Sequence, residues 1–194
     1  PQYSFATTKS SFKEWDKHYR GAPERILRVE EYYEHPGYIA ALNERIDQGL
    51  ARFPEEVRGE VQLLFSAHSI PVSYVKKGDP YPEHIKGTIK AVMDARGNDM
   101  PYHECFQSKV GPVKWLSPST EETVHKFGEQ GLHHLLLAPI SFVSDHIETL
   151  CELDIEYREV AENAGVKNYM VIEGLNDSAR FIQALADVAR GKLG

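Results

Sequence analysis

The sequence predicts an α/β protein in three layers, an open parallel sheet between two layers of helices. Three observations carry that expectation. Apolar runs rich in β-branched residues alternate with helical patterns from end to end. The runs are mostly continuous rather than alternating, as in strands buried on both faces of a parallel sheet. Helix-start and helix-stop residues fall between them, and strand, helix, strand in repetition argues for right-handed crossovers.

Taken in order, a helix is expected over Ser11–Tyr19 and a strand over Arg25–Glu30. Pro and Gly then punctuate Tyr32-Tyr33-Glu34-His35-Pro36-Gly37, which reads as a hinge between two lobes. A helix over Pro36–Arg52 precedes a strand over Val61–Ser66. Gly78-Asp79-Pro80-Tyr81-Pro82 is a turn that launches a helix over Pro82–Arg96. The strand His103–Gln107 leads to a helix over Ser119–Gln130, whose Ser119-Thr120-Glu121-Glu122 start offers a cap and an acid three residues on. The strand His134–Ala138 precedes a helix over Asp145–Ala164, stopped by Gly165. A strand over Lys167–Ile172 and a helix over Asp177–Arg190, capped from Asn176-Asp177-Ser178, complete the pattern.

Composition narrows the function. The 194 residues are 41% hydrophobic and 10% aromatic, enough for a buried core. Lys plus Arg number 22 against 29 Asp plus Glu, a formal charge of -7. That is the wrong sign for a clamp that neutralises phosphates, so no nucleic acid is expected as a partner. The longest apolar stretch, Leu135 to Ile140, is far too short to span a bilayer. Cys105 and Cys151 lie outside any CxxC, so two reduced thiols and a cytoplasmic setting are expected. No GxGxxG, Walker loop, HExxH or GxSxG occurs, which argues against nucleotide, zincin and serine-hydrolase chemistry. The chain opens on Pro1-Gln2-Tyr3-Ser4, without Met or signal-peptide pattern, as expected of a fragment.

Ligands of such sheets bind beyond the carboxyl ends of the strands. There the sequence places Ser66-Ala67-His68-Ser69-Ile70-Pro71, Gln107-Ser108-Lys109-Val110-Gly111-Pro112 and Pro139-Ile140-Ser141-Phe142-Val143-Ser144-Asp145-His146-Ile147-Glu148. His68 reads either as a metal ligand or proton acceptor, or as a loop histidine bonded to backbone. Glu148 has capping-box spacing to Asp145, which offers it a purely structural role. Glu148, Glu152 and Glu156 nevertheless recur every four residues, so like charges meet along one side of the helix, which reads either as a solvated face partly neutralised by Arg158 or as a functional ladder. At 100° per residue Ile147, Leu150, Cys151 and Ala161 share an apolar stripe, yet Asp154 falls inside it and Ile155 lands among the glutamates. A π-bulge would shift the register, align the four-residue repeat and present an acidic ladder to a cation path. Trp115 is either a core residue or a flat wall for a planar ligand.

Together these strings resemble the ferrochelatases. Pro1-Gln2-Tyr3-Ser4 with Thr7-Thr8, Phe65-Ser66-Ala67-His68-Ser69-Ile70-Pro71, Gly78-Asp79-Pro80-Tyr81, Gln107-Ser108-Lys109-Val110-Gly111-Pro112 and Ser144-Asp145-His146-Ile147-Glu148-Thr149-Leu150 stand in that family's order. Glu152-Leu153-Asp154-Ile155-Glu156-Tyr157 extends the last string. The resemblance covers essentially the whole chain and corresponds to roughly the last three-fifths of a typical member. It implies a Rossmann-like chelatase lobe over 35–172, a remnant of a first lobe over 1–34, and a C-terminal helix over 173–194 returning to that lobe. It implies insertion of Fe²⁺ into protoporphyrin IX, with Zn²⁺ or Co²⁺ able to substitute. A coproporphyrin-using relative, or a porphyrin- or metal-binding module without turnover, is the alternative.

The family's motif histidine matches His68 and its motif acid Glu148, which implies catalytic and metal-handling roles for both. Which of the two accepts the proton stays open. The acid-lined π-helix described for the family matches Glu148, Glu152 and Glu156, and Ser108 and Trp115 match positions bordering the porphyrin. Some members bind an iron–sulfur cluster through a cysteine after PQYS and three near the C-terminus. Phe5 takes the first place here and no cysteine follows Leu185, so no cluster is expected. Peripheral membrane contact, through the part of the family not represented here, is a further implication.

Overall fold

The computed structural model describes residues 1–193. Its centre is a four-stranded, wholly parallel sheet of β1 (Gln62–His68), β2 (Tyr102–Gln107), β3 (His134–Pro139) and β4 (Asn168–Val171), in the order β2-β1-β3-β4. Leu63, Phe65 and Ala67 of β1, with Leu136 and Ala138 of β3, enter one apolar core. Leu64, Leu135 and Leu137 enter the other. The buried Ser66 of β1 is satisfied by hydrogen bonds to Gln107 and Thr120. Successive side chains of a pleated strand point to opposite faces, so a strand covered on both sides is apolar at successive positions. That is why the central runs read as continuous rather than alternating.

The first core is closed by α2 (Pro36–Ala51) and α4 (Tyr81–Ala95), through Leu42, Ile46, Ile85 and Met93. Helix α7 (Ala179–Leu193) packs on α2 and adds Phe181, whose ring lies 6.4 Å from that of Tyr38. The second core is closed by α5 (Thr120–Glu129) and α6 (Tyr157–Asn163), through Val124, Phe127, Tyr157 and Ala161. Helix α1 (Ser10–His18) answers the helix expected over Ser11–Tyr19, and the short α3 (Val72–Lys76) adds to the expected elements. The Ser119–Glu122 capping box is closed in both directions, and Ser178 Oγ accepts from the Phe181 amide at the start of α7.

Two expectations need correction. Arg25–Glu30 forms no strand: it holds only the end of a 3₁₀ turn and then runs unpaired, with Leu27 56% exposed. The residues suit a strand, but a strand exists only where a neighbour takes its N–H and C=O groups. The stripe Ile147–Leu150–Cys151 is not a buried face either. Glu148–Glu156 is a π-helix throughout, and it buries Thr149 and Leu153, with Tyr157 and Ala161 following at the same four-residue spacing. Bonding from i to i+5 widens each turn, so residues four apart share a face, whereas a 3.6-residue period would place them progressively off it. Ile147 and Leu150 are thereby turned out to solvent.

Candidate active site

The chain leaves β1 to build β2 on one side and later β3 on the other, so the strand order reverses at β1. Loops diverge at such a switch point and leave a crevice at the carboxyl ends of the strands. His68 is the last residue of β1 and stands at this crevice. Its Nδ1 lies 2.7 Å from the Ser69 carbonyl oxygen. A carbonyl only accepts, so Nδ1 carries the proton of the neutral ring and the lone pair resides on Nε2. Nε2 faces Glu148 Oε2 at 3.7 Å. The Phe142 ring meets His68 edge-on at 5.8 Å and also meets His146, which limits rotation of the imidazole.

Glu148 is free for this because its capping role is taken. The Asp145 amide donates to Asn176 Oδ1, and the reciprocal pair at this turn is His146 with Thr149. His68 and Glu148 line a cavity of about 620 Å³, with Trp115, Tyr74 and the hydroxyl residues Thr7 and Thr8 on its other walls. They also border a shallower depression of about 430 Å³ that takes in Ser108, Trp115, Cys151, Glu152 and Glu156. Trp115 belongs to neither apolar core and lines both spaces.

The remaining acids differ in their engagement. Glu152 Oε1 accepts from the Ser108 amide at 2.9 Å and from the Tyr157 hydroxyl at 2.6 Å, while Oε2 accepts from Ser108 Oγ at 2.5 Å. Burial, with the Glu152 carboxylate beside it, pushes the Tyr157 phenol far above its ordinary value, so it remains a donor. Ser108 sits at φ 63°, a left-handed conformation costly for a non-glycine residue, and the double contact to Glu152 offsets that strain. Glu156 is exposed and lines both the shallow depression and a groove of about 670 Å³ bordered by Glu121, His125 and Glu129 of α5. Among the described residues, no three or more His, Cys, Asp or Glu side chains converge as a metal-ligand group. The structure thus brings His68 and Glu148 together as a pair, ties Ser108 to Glu152, and places Glu156 outward. Ser141 and Phe142, which also line the cavity, were not singled out from sequence. Their signal was position alone, in the loop that follows a strand at the switch point.

An imidazole lone pair opposed to a carboxylate in a switch-point cavity defines a class, α/β proteins equipped to move protons and cations beside a bound ligand. The family model described as Ferrochelatase matches residues 1–193, and the chain belongs to that family. It is 48% identical to a ferrochelatase of Geotalea uraniireducens over 97% of this chain and 59% of that protein. It is 44% identical to a mitochondrial ferrochelatase of Xenopus laevis, over 97% of this chain and 47% of that protein. The chain thus spans about three-fifths or less of the curated relatives it matches. Among solved structures, a cobalamin-biosynthesis CbiX protein of Marinobacter aquaeolei aligns over 69% of this chain and 97% of its own, with TM-score 0.47 and 14% identity.

Proposed function

We propose that this chain is the metal-inserting part of a ferrochelatase, placing Fe²⁺ into protoporphyrin IX with release of two protons. The observation that carries the reading is the His68–Glu148 pair, 3.7 Å apart on the wall of the 620 Å³ cavity. Insertion must remove two pyrrole N–H protons and strip water from the cation. The Nε2 lone pair of His68 and the Glu148 carboxylate divide proton acceptance and cation binding between them, and both protons pass to solvent. The indole of Trp115 supplies a flat wall for the macrocycle, and Ser108 borders it. Glu156 and Glu152 extend the acidic side of the π-helix towards the pair, which supports a cation route along it.

Iron is the substrate here, and the mixed nitrogen and oxygen donors also suit Zn²⁺ and Co²⁺. No iron–sulfur cluster is proposed: the chain carries two cysteines, and Cys105 is buried under α5, far from thiolate character. Residues 1–34 are proposed as a remnant of a first lobe and residues 173–194 as the helix returning to it, and that lobe would also complete the opposite wall of the cleft. The exposed Leu27 in an unpaired, strand-like segment supports that assignment. Among the described residues no helix is long and apolar enough to cross a membrane. A cytoplasmic enzyme touching the membrane through its first lobe is consistent with that.

The test is zinc insertion into protoporphyrin IX, followed by fluorescence with the complete protein that carries this chain. His68→Ala and Glu148→Ala should each lower the rate about 10²-fold or more. Insertion undiminished in the double variant would refute the assignment. Faster turnover of coproporphyrin would move the substrate, not the site.

A further inference from the structure

Resting on that reading of His68, we propose that Tyr81 and Ser141 are positioning residues, forming a closed hydrogen-bond ring that fixes the His68 main chain and thereby aims its imidazole. The His68 amide donates to Ser141 Oγ at 2.8 Å. The Tyr81 hydroxyl donates to the His68 carbonyl at 2.9 Å. Tyr81 and Ser141 oxygens lie 2.6 Å apart. A phenol has a single proton, and Tyr81 has given it to the His68 carbonyl, so the Ser141 hydroxyl must donate to Tyr81. The ring therefore runs in one direction, from His68 N–H through Ser141 and Tyr81 back to His68 C=O. Each member donates once within it, and such chains polarise one another.

The ring matters because of where it sits. His68 ends β1, and its peptide is the last point at which the sheet controls the side chain. Ser141 comes from the loop after β3 and Tyr81 from the first residue of α4, so the ring joins elements from both sides of β1. Tyr81 is only 5% exposed, and burial raises its phenol far above the ordinary value, which keeps it a donor. Its own amide donates to Asp79 Oδ1, while Asp79 Oδ2 accepts from the Phe5 amide. The N-terminal segment is thereby secured to the same support. With the main chain fixed, the Nδ1–H to Ser69 bond and the Phe142 edge set the ring plane, and Nε2 points at Glu148.

A residue that acts only by positioning lowers kcat and leaves porphyrin affinity intact, and displacement by a fraction of an ångström already matters. Tyr81→Phe and Ser141→Ala in the complete protein should each lower kcat for zinc insertion about 10-fold, with the porphyrin KM within about twofold of wild type. The double variant should fall little further than either single, because opening the ring once destroys it. Ser141→Thr, which keeps the hydroxyl, should restore most of the rate. Should Tyr81→Phe fail to fold, Ser141→Ala and Ser141→Thr decide alone. The proposal is overturned if kcat stays within twofold of wild type in the folded single variants, or if KM rises instead. His68→Ala runs alongside. Loss of insertion there with Tyr81→Phe and Ser141→Ala unchanged overturns the positioning role alone, whereas full insertion by His68→Ala overturns the site reading and the ring's purpose with it.

Discussion

Glu152 offers the sharpest test of how the π-helix is held. Its carboxylate accepts hydrogen bonds from the Ser108 amide, Ser108 Oγ and the Tyr157 hydroxyl. Hydrogen bonds to a charged group contribute about 1.5–3 kcal/mol each, but these share one carboxylate and a half-buried site and will not sum. Glu152→Ala strands the buried Tyr157 hydroxyl and leaves the Ser108 strain uncompensated, so we expect a loss of about 3 kcal/mol. For a chain of this size that lowers Tm by roughly 6–12 °C. Glu152→Gln behaves differently. Its amide oxygen can replace Oε1, keeping the Ser108 amide and Tyr157, while its NH₂ donates to Ser108 Oγ in place of Oε2. Only charge assistance is lost, about 1 kcal/mol. Urea unfolding of both variants, followed by circular dichroism, measures the two costs. Equal losses for Gln and Ala, or an Ala variant within 0.5 kcal/mol of wild type (roughly the value for a neutral surface change), would refute the tether.

Three further outcomes are expected. A Cβ on Gly128 would lie 2.3 Å from the Ala164 carbonyl oxygen, which is backbone that cannot swing away, so Gly128→Ala should separate α5 from α6 and cost about 2–3 kcal/mol in urea denaturation. Burial pushes the Cys105 thiol up to about 12, whereas Cys151 is partly exposed, so a thiol reagent at neutral pH should titrate one group in the native chain and two after denaturation. Hydrogen bonds from Ser119 hold the Glu122 carboxyl below its ordinary value. The stability this gives is present above the unfolded carboxyl's pKa and disappears as pH falls through the lower folded one, so Glu122→Gln should flatten that acidic part of the stability profile.

Some of this molecule is legible in its residues alone. Leu63–Phe65 and Leu135–Ala138 are apolar at every position, as a strand covered on both faces requires, so the parallel sheet and its two helical layers follow directly. The caps at Ser119 and Ser178 are likewise local chemistry, complete within a few residues. The conflict of period over Ile147–Ala161, with Asp154 in the apolar stripe and Ile155 among the glutamates, points to a π-type widening; a bulge is expected, and the structure has a π-helix over the whole of Glu148–Glu156.

Tertiary structure decided the rest. Arg25–Glu30 has strand-like residues but no partner, and pairing is a property of two segments, not one. Glu148 had two credible local roles, and it was Asn176, 28 positions away along the chain, that took the Asp145 amide and released it to face His68. Glu152 and Glu156 look alike in sequence, yet Ser108, brought in by the β2 loop, engages one and leaves the other in solvent. Tyr81 and Ser141 lie 60 residues apart and meet only because β1 separates them by a single strand end. The sequence determines the elements and their periodicity because those are near-neighbour interactions; which polar groups satisfy one another depends on contacts that exist only once the sheet has assembled.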